Sequence, residues 1–74
     1  MSKLPRQLSW RKVVSALRRA GFRVHRQRGS HMILVRDAPY AQVVVPAHRA
    51  LATGTLAEIL DGAGLSLEEF LDLL

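Results

Sequence analysis

The sequence predicts a small α+β domain, a three-stranded antiparallel meander with helices packed on one face. An apolar stripe at three- and four-residue spacing fills the segment before Gly21. Three short segments of strand character, separated by turn residues, follow between residues 22 and 46. Two Ser/Thr-x-x-Glu patterns then open helical stretches in the last third. Seventy-four residues hold one core and one domain, residues 1–74, near the lower limit at which apolar burial alone sustains a fold.

Each element has its own local reason. Ser9 offers a hydroxyl cap to a helix from about Trp10 to Ala20, with Leu8 placed to staple onto Val13. Trp10, Val13, Val14, Leu17 and Ala20 form its apolar stripe, which favours core packing for Trp10, and Gly21 suits a left-handed stop. From Phe22 to Gln27, Phe22 and Val24 alternate with Arg23, His25 and Gln27, as in a half-buried strand. Arg28-Gly29 supplies a turn, His31 to Arg36 a second strand, Asp37 to Tyr40 a loop, and Ala41 to Val45 a third strand closed by Pro46. Connections this short pair the strands as hairpins. Thr55-Leu56-Ala57-Glu58 then reads as a capping box for a helix ending at Gly62 or Gly64. Ser66-Leu67-Glu68-Glu69 opens a last helix stapled by Leu65 and Phe70.

Charge divides the chain. Lys3, Arg6, Arg11, Lys12, Arg18, Arg19, Arg23, Arg26, Arg28 and Arg36 precede the first carboxylate, Asp37, after which Arg49 alone opposes Glu58, Asp61, Glu68, Glu69 and Asp72. A one-sided basic surface of this kind points to a polyanion such as nucleic acid. Without cysteine, a disulfide framework and a thiolate metal site both drop out. The three histidines lack ligand spacing, so no metal and no cofactor are expected. The first residues lack the apolar run of a signal peptide and no later segment reads as a membrane span, which makes the cytoplasm the expected location.

Arg26-Gln27-Arg28-Gly29-Ser30-His31 is the segment with chemistry in it. An RNA chain carries its own nucleophile, the 2′-hydroxyl, so cutting it requires only groups that move protons and groups that stabilise charge on the phosphoryl oxygens. Histidine suits the first task and arginine the second. Gly29 permits positive φ and a close backbone approach to phosphate, and Ser30 offers a hydroxyl donor. On chemistry alone the plainer reading of His31 is a surface histidine after a tight turn, and that of Gly29 and Ser30 is ordinary hairpin residues. His48 and His25, the other imidazoles, read as candidates for a second proton transfer or as solvated side chains. Tyr40 is a candidate for stacking on a base. Met32 and Leu34 alternate with His31, Ile33 and Val35, which leaves an apolar second sheet face in need of a cover.

Gly21-Phe22, Arg26-Gln27, Gly29-Ser30-His31, Val45-Pro46 with His48, and Gly54-Thr55-Leu56 through Ile59-Leu60 to Ala63-Gly64-Leu65-Ser66 resemble, in order and spacing, the HicA toxins of HicA and HicB toxin–antitoxin pairs. The resemblance implies a double-stranded-RNA-binding-domain-like fold and metal-independent cleavage of messenger RNA, with His31 as the catalytic residue. It also implies neutralisation by a HicB-type antitoxin in a higher-order complex. With it, Arg26, Arg28, Gly29, Ser30, Lys12 and Arg23 are the expected RNA contacts. The competing expectations are a non-catalytic RNA-binding module of the double-stranded type and a subunit whose basic surface docks an acidic protein.

Overall fold

The computed structural model describes residues 4–74, and Lys3, counted with the basic residues, lies outside them. The chain runs α1 (Trp10–Arg19), β1 (Arg23–Arg28), β2 (His31–Asp37), β3 (Tyr40–Pro46), α2 (Thr53–Ala63) and α3 (Leu67–Leu73). The strands form one antiparallel sheet in the order β1-β2-β3, so the α+β meander is as predicted. No helix of the described residues is long and apolar enough to cross a membrane.

Helix α1 starts where Ser9 accepts a hydrogen bond from the Lys12 N–H at 3.4 Å. It buries Val13, Val14, Ala16 and Leu17. Its end is a full Schellman motif: Gly21 at φ +96° donates to the Arg18 carbonyl and Phe22 to Leu17. Helix α2 ends the same way, with Gly64 at φ +71° donating to Asp61 and Leu65 to Leu60. Between the two ends lies Arg36. A Cβ built on Gly21 would stand 3.6 Å from its Cδ, and one on Gly64 3.8 Å from its Nη2. This cation therefore meets the negative ends of two helices, donates through Nε to the Pro39 carbonyl at 2.9 Å, and covers the Phe22 ring at 4.7 Å.

The predicted box at Thr55 is not used. Leu51 is buried and its N–H bonds to the Leu8 carbonyl at 2.8 Å, which fixes the chain direction just before Ala52. The helix therefore opens at Thr53 with no side-chain cap, and Thr55 is already inside it. Gly62 is also interior, because α2 crosses β3 closely there: a Cβ would lie 3.3 Å from Val43 Cγ1. The second box forms as expected, Ser66 Oγ accepting from the Glu69 N–H at 3.1 Å and Glu69 Oε1 from the Ser66 N–H at 2.8 Å. It seats Phe70, wholly buried, among Leu17, Leu34, Leu56 and Val45 in the core. Arg19 ties α1 to the end of α3 by donating to the Leu73 carbonyl at 2.7 Å.

In the sheet, the first hairpin turns on Gly29-Ser30 rather than Arg28-Gly29, with Arg28 and His31 as the closing pair. The second turns on Ala38-Pro39, joined by a cis peptide bond, so Asp37 and Tyr40 are strand residues rather than loop. Strict alternation along β1 also fails: the register shifts between Val24 and Arg26, leaving His25 as a bulge. Val24 pairs with Leu34 on the helix-covered face, yet after the bulge it is Gln27, opposite Met32, that shares that face.

Candidate nucleic-acid interface

The bulge lets β1 keep Val24 on the core side and still present Arg26 and Arg28 on the face of His31. Continued alternation from Phe22 would put Arg26 and Arg28 on the core side; skipping His25 turns both outward. Residues directly opposite in an antiparallel pair share a face, so the open face of the sheet consists of cross-strand rows. One row is Arg28, His31 and Pro46; the next Arg26, Ile33 and Val44; the third Arg23, Val35 and Gln42; Asp37 and Tyr40 close it. Opposed side chains in such rows have Cβ atoms ~5 Å apart and diagonal ones ~7–8 Å. His31 thus has Arg28 beside it and Arg26 diagonal to it. All three are exposed.

Local structure holds this end of the sheet in place. Gly29 sits at φ +57°, the positive value a two-residue turn of this hand needs at its first position. The Gln27 side-chain amide donates to the Gly29 carbonyl at 3.0 Å. The Ser30 carbonyl accepts from the Ala47 N–H at 2.6 Å, and the His48 carbonyl from the Trp10 N–H at 3.1 Å. The exposed His48 is therefore anchored at the same end of the sheet as His31, whereas His25 is exposed at the bulge, part-way along β1.

The cations are not equivalent. Arg23 is bound by Asp37 at 2.8 Å, the one ion pair among the described residues. Arg26 and Arg28 have no such partner, and their planar forks remain available for phosphate oxygens. Arg36 and Arg19 cap backbone carbonyls on the helix side, so the basic half is not one polyanion surface. Lys12 lines a hollow with Leu8, Ser15, Arg19 and Leu74. Trp10 packs against the core under Arg11, whose guanidinium lies 5.0 Å over its ring. Along the β3 edge, a groove between β3 and α2, lined in part by Gln42, Val44 and Pro46, has Glu58 as its one charged lining residue.

The open face is less apolar than alternation predicts. Val35 is 6% exposed and lies outside the main core. Its row neighbours Arg23 and Gln42 are the side chains positioned to shield it. The exposed large hydrophobic residues of this face are Tyr40 and Val44. Among the described residues, no three His, Cys, Asp or Glu side chains converge as a metal site. The bulge, the Gln27 brace and the Arg23–Asp37 pair escape sequence reasoning, though the break in hydrophobic alternation after Val24 is a signal for the first.

The chain has no match among individually curated proteins. A family model described as the HicA toxin of bacterial toxin–antitoxin systems matches residues 10–65. Those residues run from the start of α1 through all three strands and α2, and they include His31 and its arginine neighbours. The match covers most of the chain, which therefore belongs to the HicA toxin family, a toxin with a cognate antitoxin as its partner.

Proposed function

We propose that the protein is an endoribonuclease that cleaves messenger RNA without a metal ion, His31 moving protons and Arg26 and Arg28 holding the phosphate. The observation that carries this reading is the shared face of His31, Arg28 and Arg26, set by the pairing of Arg28 with His31 across the Gly29-Ser30 turn. The reaction begins when the 2′-hydroxyl loses its proton and its oxygen attacks the adjacent phosphorus, releasing the 5′-oxygen, which takes up a proton. His31 serves as the proton carrier. The guanidinium groups of Arg28 and Arg26 stabilise the extra charge on the phosphoryl oxygens. His48, at the same end of the sheet, is the imidazole suited to the second transfer. The cognate antitoxin is read as HicB-type, with acidic groups that pair with Arg26 and Arg28 and bulk that keeps RNA from His31.

Labelled RNA incubated with the purified protein in EDTA tests the reading. His31→Ala should fold normally, retain RNA and lose about 10²–10⁴ in cleavage rate. A non-catalytic double-stranded-RNA module would instead retain RNA with no shorter products from either protein. A His31→Ala variant as fast as its parent removes the residue from the mechanism.

A further inference from the structure

We infer that the open face is a track for roughly four nucleotides of single-stranded RNA, its phosphates held by Arg28 and Arg26 and one base stacked on Tyr40 beside the Gln42 amide. The inference rests on the cleavage reading above and adds where the bound sequence is read: at the end of the sheet remote from His31.

Tyr40 is 68% exposed, though its ring has ample core-forming area. Its hydroxyl donates to Gln42 Oε1 at 3.2 Å, which steadies the ring and leaves the Gln42 amide hydrogens directed to other acceptors. An aromatic face next to an unspent amide donor suits an unpaired base, stacked and hydrogen-bonded on its edge.

Charge falls along the same line. Among the described residues Arg28 and Arg26 are without carboxylate partners, but Arg23, level with Gln42, is neutralised by Asp37. Phosphate is therefore drawn to the His31 end, while the Tyr40 end presents a ring and an amide. From His31 to Asp37, the strand partner of Tyr40, six residue steps span ~20 Å. That matches the smallest single-strand sites, about four nucleotides. Duplex RNA fits poorly, because its bases are already stacked on one another.

The test uses the full chain carrying His31→Ala, so that RNA stays intact, and measures binding of labelled RNA tetranucleotides by fluorescence anisotropy. Adding Tyr40→Ala should weaken binding about 5- to 150-fold, the effect of losing one stacked base, with an unchanged salt slope. Tyr40→Phe should bind within about twofold, since the π-face remains. With an abasic site at one of the two RNA ends, Tyr40→Ala should cost nothing further, because base and ring are lost as a pair. Tyr40→Ala without effect, while Arg26→Gln still weakens binding, would overturn the track and leave the cleavage reading standing. Arg26→Gln and Arg28→Gln both without effect would remove the RNA-binding reading itself. Tyr40→Ala that releases a co-expressed antitoxin but leaves tetranucleotide affinity unchanged would make this end a protein contact and also overturn the proposal.

Discussion

The two faces of the sheet carry the same residue type to opposite ends. On the helix-covered face Arg36 has its charge spent, between two helix C-termini, on a carbonyl and over a ring. On the open face Arg26 and Arg28 have no ion-pair partner among the described residues. A buried or half-buried cation must be satisfied from within, or its desolvation outweighs what it gains; an exposed one keeps its hydration until an anion arrives. Net charge therefore overstates the number of free cations, and the pairing geometry identifies which arginines of the described residues are left open to an anion.

The comparison breaks most visibly in the core. Phe70→Ala should cost about 3–5 kcal/mol, because the ring is wholly buried and its space cannot close. Val44→Ala on the open face, with Val44 at 43% exposed, should stay within about 0.5 kcal/mol. Urea denaturation midpoints at matched protein concentration check both, and equal losses would erase the distinction between the faces.

The arginines should then give crossed results. Arg36→Gln is expected to cost about 1–2 kcal/mol through its lost helix-end and cation–π interactions while leaving the salt dependence of RNA binding intact. Arg26→Gln should leave stability within about 0.5 kcal/mol but flatten the salt slope by about 0.7, one phosphate contact on a single strand. Thermal melts and salt titrations on the same two variants decide the matter.

The smallest effect is pH-dependent. Hydrogen bonding from the Ser66 backbone N–H, then from its side chain, holds the Glu69 carboxyl below its ordinary value of 4.5. A folded-state value below the unfolded one means that the stabilisation is complete above the unfolded value. It is lost as pH falls from about 4.5 through the folded value. Glu69→Gln keeps an acceptor for the Ser66 N–H but cannot titrate, so the parent's stability should approach that of the variant in this range. A constant difference down to the acid transition would contradict the assignment.

Much of this was legible in the residues because local physics and tertiary packing agree there. Ser9, Gly21, Gly64 and the Ser66–Glu69 box act within one turn of chain, and alternation in β2 correctly separates Met32 and Leu34 from His31. Thr55 failed because the Leu8–Leu51 bridge, a contact between distant segments, sets the start of α2. Alternation also failed past Val24, since one inserted residue inverts every later assignment. Val35 differs for a third reason: burial beside polar cross-strand neighbours has no signature in hydrophobic periodicity. The segment around His31 stood out from its composition, but its partners on the sheet depended on the pairing register.

That bulge separates composition from aim. With His25 removed, Arg23, Val24, Arg26, Gln27 and Arg28 would alternate regularly and keep the faces they occupy now, so a shorter hairpin would display the same side chains. What would change is twist, since an inserted residue coils a strand more tightly. Residue 25 thus works as a spacer that sets the angle at which the hairpin tip meets whatever lies over it, and that angle can be altered without exchanging a single functional group.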